Sequence, residues 1–213
     1  MPVPGNIANS ISQIIERHQL ISDQMDQERL ALILKRLDQA LEHHIPGDIV
    51  EFGCYLGTTS LFIARLLAVA ATTRRFHVYD SFEGLPGKTI EDASVAGSNF
   101  RAGELKASKR QLVRNFKHAH LKPPLIHKAW FNELKSKDLP NQIAFAFIDS
   151  DFYRSIYGSL EIVWPRLSSG GAVIVDDYNR SSLPGATRAV NDFFTVSNVR
   201  IQHQSNLAII TKP

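Results

Sequence analysis

Short apolar runs and helical apolar stripes alternate along this chain. Runs at 48–52, 76–79, 125–127, 143–148 and 172–175 have the continuous character of strands buried on both faces. Helical spacing appears between them. It runs through Leu30, Leu32, Ile33, Leu34, Leu37 and Leu41 in a predicted helix over 26–43, and places Ile156, Leu160, Val163 and Leu167 on one face of another over 154–167. Further helices are predicted over 7–21 (Ile7, Ile11, Ile14, Ile15), 58–71, 109–118 and 186–194, with a turn at Ser168-Ser169-Gly170-Gly171. The runs 199–202 and 207–211, joined through Gln204-Ser205-Asn206, read as a terminal antiparallel hairpin. Strands alternating with helices predict an α/β chain with a doubly wound, Rossmann-like, mostly parallel sheet.

No repeat or second domain is apparent. Residues 46–213 carry the sheet, and 1–45 supply two helices free to cover the sheet, the mouth of a site or a partner subunit. The connection 81–108 is rich in Gly, Ser, Pro and charge, and its length marks it as a candidate lid.

The strand ends carry the chemistry. Run 143–148 ends in Asp149 and Asp151, and run 172–175 ends in Asp176 and Asp177. In a parallel sheet both ends open on the edge where ligands bind. Carboxylates that close repel one another unless protons or a cation lie between them. The four carboxylates together therefore read as a divalent-cation site, and an oxygen-only set favours Mg²⁺, Mn²⁺ or Ca²⁺ over zinc. A lone aspartate after a strand is usually a turn former or helix cap, which is the competing reading for Asp177 and for Asp151.

A second constellation precedes it. Glu51-Phe52-Gly53-Cys54-Tyr55-Leu56-Gly57 is E-x-G-x-x-x-G between a strand and a helix, with Asp80 at the next strand end. Glycine permits a tight turn and close approach of a ligand. Tyr55 stands where the dinucleotide fingerprint requires glycine, which argues against a nicotinamide cofactor. S-adenosylmethionine fits instead, its amino-acid part over the turn and its ribose on Asp80. Cofactor contacts are expected from Glu51, Gly53, Tyr55, Gly57, Thr58, Asp80, Ser81, Phe82, Trp130 and Asp149. Cys54 reads as a small packing residue.

Composition narrows the picture. The chain has 213 residues, 44% hydrophobic and 21% charged, with net charge +3 and bases spread along its length. That predicts a soluble globular protein, no nucleic-acid partner and no membrane partner. The lone cysteine and the lack of a secretory pattern predict a cytoplasmic location.

On Pro46–Gly53, Asp80-Ser81-Phe82-Glu83-Gly84-Leu85-Pro86, Ile148-Asp149-Ser150-Asp151 and the stretch ending Asp176-Asp177-Tyr178, the chain resembles the macrocin O-methyltransferase (TylF/MycF/NovP) family. The resemblance spans about residues 46–194. It implies a class I methyltransferase fold with a seven-stranded sheet, a metal held by Asp149, Asp176 and Asp177, and Asp151 as general base. Two departures stand out: Ser150 where the family commonly has Gly, and Ala129 where Gly precedes Trp-Phe. The expected activity is metal-dependent O-methylation of a small hydroxylated acceptor, a sugar or vicinal diol, in natural-product or glycan biosynthesis. The competing readings are a metal-free methyltransferase of protein or RNA and a non-catalytic S-adenosylmethionine-binding module. A homo-oligomer is compatible with all three.

Overall fold

The computed structural model describes residues 7–98 and 100–213; residues 1–6, Asn99 and the side chains of residues 7–9 lie outside the described residues. Seven strands, β1 (Asp48–Phe52), β2 (Phe76–Asp80), β3 (Leu125–Lys128), β4 (Ile143–Ile148), β5 (Leu167–Val175), β6 (Ile201–Gln204) and β7 (Leu207–Thr211), form one sheet in the order β3-β2-β1-β4-β5-β7-β6. The first five are parallel neighbours, and β7 runs antiparallel to both β5 and β6. The chain winds from β1 outward to β3, then returns to place β4 on the other flank of β1. That reversal of winding opens a crevice at the strand ends.

Alternation within the strands sorts side chains to two faces. Ile49 faces α1 (Ile7–Arg17), α2 (Gln27–Glu42), α3 (Thr58–Val69) and α4 (Lys109–His118). Val50 and Phe52 face α5 (Tyr153–Val163) and α6 (Pro184–Phe194). All six residues of β4 are buried, as its unbroken apolar run requires. In α2, Asp26 caps the helix by accepting the Arg29 N–H at 2.8 Å. Leu30, Ile33, Leu34 and Leu37 on its inner face are fully buried, each worth roughly 1.5–3 kcal/mol. Among the described residues no helix is long and apolar enough to cross a membrane.

Several boundaries differ from the sequence reading, among them the strand expected at 199–202, which lies at Ile201–Gln204; three of the differences have a plain local reason. The first helix ends at Arg17, short of Ile21; Ser22 and Asp23 bend the chain, leaving Ile21 39% exposed. The helix expected to reach Leu167 stops at Val163 and tightens into a 3-10 turn, because Pro165 has no N–H to donate. The expected turn at 168–171 is instead part of β5. Leu167 pairs with Ile143 and Ala172 with Phe145, so the surplus residues of β5 bulge outward. Gly170 enters the left-handed region at φ +78°, and its N–H donates to the Lys212 carbonyl. The hairpin itself closes on Ser205-Asn206, both left-handed, as a type I′ turn demands.

The connection 81–108 is pinned rather than loose. Asp92 is buried; its Oδ1 accepts the Tyr153 N–H at 2.7 Å, and its Oδ2 accepts from the Thr89 N–H and hydroxyl. Helix α5 has no side-chain cap of its own, so a residue 61 positions away supplies one. Replacing Asp92 with Ala is expected to cost about 1–2 kcal/mol, the usual worth of a helix cap. Urea unfolding measures the loss, and hydrogen exchange should accelerate at the Tyr153 amide. Unchanged exchange there would contradict the capping role.

Candidate active site at the carboxyl ends of the parallel strands

Sheet order lays the strand-end residues out in a line. From β3 towards β5 these are Trp130, Asp80, Gly53, then Asp149 and Asp151, then Asp176 and Asp177. Neighbouring strands lie about 4.8 Å apart, so the line spans roughly the length of an extended small ligand. All these residues line one cavity of about 510 Å³, together with Tyr55 and Ser81. Gly84, Leu85, Pro86, Gly87 and Leu105 of the long connection wall it as well.

The glycine turn is built for close approach of backbone to backbone. Gly53 has φ +81°, and a Cβ there would lie 1.8 Å from the Asp149 carbonyl oxygen. Its N–H donates to the Tyr79 carbonyl. Asp80 stitches the turn to β2: one carboxylate oxygen accepts the Cys54 N–H at 2.8 Å, the other the Phe82 N–H at 2.7 Å. Trp130 and Phe131 both border the cavity, and Phe131 also meets Phe52 edge-on.

Four expected contacts fall outside the cavity lining. Glu51 lies fully buried beneath the turn, where its carboxylate accepts the Ser60 hydroxyl of α3. Gly57 abuts Leu112 of α4, and a Cβ would come within 2.3 Å of it. Thr58 shares a hydrogen bond with the Ser22 hydroxyl at 2.9 Å. Phe82 packs into the core cluster on the α3 face. All four shape the turn from behind. Cys54 is buried, and burial followed by the nearby Asp80 and Glu51 charges pushes its thiol up, in keeping with a packing role.

The carboxylates occupy the other half of the cavity. Asp151 does not continue extended chain. It is left-handed at φ +59°, because the Phe152 N–H folds back onto the Ser150 carbonyl. It does not cap α5 either, since Asp92 takes that place. Burial, then repulsion from Asp177 and Asp176, raises its affinity for a proton. Asp149 is raised by burial and by Asp176, Asp151 and Asp177. Asp176 is pushed to about 7 by burial and Asp177, with Arg29 pulling the other way.

Two arginines absent from the sequence reading answer these charges. Arg29 Nη1 donates to both Asp176 oxygens at 2.9 and 2.8 Å. Arg180 Nη1 donates to Asp177 Oδ1 at 2.7 Å, within a turn that also pairs the Arg180 N–H with the Asp177 carbonyl. Arg29 lies 147 residues from its partner and carries no local signal. The two guanidiniums answer two of the four carboxylates, and among the described residues no hydrogen bond steadies the side chain of Asp149 or Asp151. With Asp176 and Asp177 turned to the arginines, no three His, Cys, Asp or Glu side chains of the described residues stand where they could hold a metal ion.

The chain matches the macrocin-O-methyltransferase (TylF) family over residues 19–205. It is 33% identical over 174 residues to the 8-demethyl-8-(2,3-dimethoxy-alpha-L-rhamnosyl)-tetracenomycin-C 4'-O-methyltransferase of Streptomyces olivaceus, covering 75% of this chain and 65% of that protein. It is 29% identical over 159 residues to the demethyldecarbamoylnovobiocin O-methyltransferase of Streptomyces niveus, covering 71% of this chain and 60% of that one. The chain thus spans just under two thirds of the length of these relatives. The solved O-methyltransferase NovP superposes with a TM-score of 0.74 at 25% identity, over 87% of this chain and 80% of that one. The fold is that of class I methyltransferases.

Glu51 gives the site a pH signature. Burial, partly offset by the Ser60 hydrogen bond, raises it from 4.5 to about 8. The folded state holds that proton more tightly than the unfolded chain. Its contribution to stability is therefore complete below about pH 4.5 and lost as pH rises through about 8. Glu51→Gln keeps an acceptor for Ser60 and cannot ionise. In thermal melts from pH 5 to 9 the variant should gain on the wild type up to about pH 8 and then hold a constant lead. A difference that is flat across the range would mean Glu51 titrates normally.

Proposed function

The chain belongs to the macrocin-O-methyltransferase family, and from that premise we propose that it transfers the methyl group of S-adenosylmethionine to a hydroxyl of a small acceptor, a sugar or vicinal diol. The observation that carries this reading is the single cavity in which the Gly53 turn and Asp80 adjoin four strand-end carboxylates. The rhamnosyl acceptor in the name of the Streptomyces olivaceus relative supports a sugar.

S-adenosylmethionine supplies an electrophilic methyl group on a sulfonium. Gly53 keeps the backbone low enough for its amino-acid part. The Asp80 carboxylate is fixed by the Cys54 and Phe82 N–H groups, and each of its oxygens keeps a lone pair for a ribose hydroxyl. Trp130 and Phe131 offer an apolar wall for the adenine. Trp130, Asp80 and Gly53 follow one another along the sheet edge, so the methyl group would face the carboxylates.

For a divalent cation the donors suit in type, although with Asp176 and Asp177 turned to the arginines no three of them stand where they could hold one. Asp149, Asp176 and Asp177 are the oxygen donors that would hold Mg²⁺, Mn²⁺ or Ca²⁺. A cation held there would lower the pKa of an alcohol that is otherwise a poor nucleophile. Asp151 lines the same cavity and is placed to take the hydroxyl proton, a role worth about 10²–10⁴-fold in rate. Arg29 and Arg180 keep Asp176 and Asp177 in fixed rotamers. Leu85, Pro86, Leu105 and Phe152 screen the site from bulk water.

Asp149→Ala is expected to abolish methyl transfer to a rhamnoside acceptor panel, followed as S-adenosylhomocysteine release, while S-adenosylhomocysteine still binds in calorimetry. Asp151→Asn should lower kcat by roughly 10²–10⁴-fold. Wild-type turnover should vanish in EDTA and return with Mg²⁺. Turnover indifferent to both would reject the cation, and full activity of Asp149→Ala in chelator would reject the assignment of the site.

A further inference from the structure

Arg29 enters the carboxylate cluster from outside the strand–helix–strand unit that builds it. It sits in the first turn of α2 with its side chain 11% exposed. Nη1 donates to both Asp176 oxygens, Nε to Asp26 Oδ2 at 2.9 Å, and Nη2 to the Gln24 carbonyl at 2.7 Å. All three guanidinium nitrogens thus have directed partners. The helix does not need this side chain for its own stability. Asp26 caps α2 through the Arg29 backbone N–H, and the buried stripe starts at Leu30. Burying a guanidinium is costly unless it is paired, and the partner met here is a carboxylate of the cluster.

The pairing has a consequence for any cation. Asp176 would reach a metal through the same two oxygens that Arg29 holds. The guanidinium also supplies one of the positive charges that the four carboxylates require. We propose that Arg29 is a built-in competitor for the cation: by holding Asp176 it sets how tightly the cluster binds a divalent metal, and it keeps the cluster partly neutralised when none is bound. The inference rests on the cation reading of the cluster and names the residue that tunes it.

The size of the effect follows from what neighbouring charges do to protons. An opposite charge within about 4–6 Å lowers a carboxylate's proton affinity by roughly 10–1000-fold. The same Coulomb repulsion acts on any other cation and is doubled for a divalent one. Arg180 offers an internal comparison. Its side chain is 38% exposed, so solvent screens its contact with Asp177 far more.

The test is a Mn²⁺ titration, read by electron paramagnetic resonance of the free ion, on wild type, Arg29→Met, Arg29→Lys and Arg180→Met. Each variant is first checked for S-adenosylhomocysteine binding and a cooperative melt. Arg29→Met should bind Mn²⁺ on the order of 10-fold or more tighter than wild type, with Arg180→Met changing it less. Arg29→Lys should fall between, because a single ammonium cannot replace the fork. If Arg29→Met does not fold, the Arg29→Lys comparison decides alone. Equal or weaker Mn²⁺ binding by the Arg29 variants, with wild type binding normally, overturns the competitor role and leaves the cation reading standing. Binding by Arg29→Met but not by wild type upholds the competitor role and rejects the cation reading for the native chain. No binding by any of the four overturns both.

Discussion

Repulsion among carboxylates at the tips of two adjacent parallel strands is the constraint around which this molecule is arranged. Parallel pairing of β4 with β5 carries Asp149 and Asp151 to the same edge as Asp176 and Asp177, and burial makes their charges costly. A fold does not retain such a cluster for stability, since replacing buried charge by apolar side chains is often neutral or better. The cluster is tolerated because positive charge is brought to it: Arg180 from the next turn of the same chain segment, and Arg29 from a helix at the other end of the sequence. What those two do not neutralise is left for protons or for a ligand.

The same sheet edge explains why the glycine turn and the carboxylates meet at all. Because β1 neighbours β4, the turn after β1 and the loop after β4 are forced together. The contact is so close that Gly53 has no room for a side chain beside the Asp149 carbonyl. Glycine at this point therefore answers to two demands, a left-handed backbone and an approach that a Cβ would block. Behind the turn, Glu51 and Ser60 form a buried pair that ties β1 to α3. The turn is rigid from below and open from above.

Much of this was legible in the sequence, and the exceptions share a cause. Continuous apolar runs located β4 to the residue, and Asp26 with a 3.6-residue stripe located α2 nearly so, because burial and capping are local signals. The four aspartates were visible because a strand end is a place with known geometry. Glu51 was read as a cofactor contact because it stands in the motif. Yet it shares a strand face with Ile49, and that face is sealed by α3. The Gly170-Gly171 pair looked like a turn, since the bulge that absorbs it depends on pairing with the chain's last residues. Arg29 and Asp92 were invisible for a stronger reason. On an amphipathic helix or a polar connection a charged residue reads as solvated, and only the folded chain reveals a partner 147 or 61 residues away.

Those two residues bear on how the cavity is closed. The segment before α2 and the connection 81–108 both border it, and both are fastened in part by polar contacts. Gln24 is held through Arg29. The long connection is held through Asp92 on Tyr153, Ser94 on the Ser181 carbonyl, and Arg188 on the Glu91 carbonyl. Between the buried Phe82 and Ala107 near its two ends, its apolar anchor is Leu85 with Phe152 and Leu183, flanked by Phe100 and Leu105, while Ile90 and Val95 point to solvent at 83% and 96% exposure. Segments with few buried apolar contacts open at lower free energy than the core they cover. The walls of the cavity are therefore its most easily opened parts, and the sheet edge beneath them is the least. That division leaves the carboxylates, whose spacing the strands have fixed, undisturbed when the walls move.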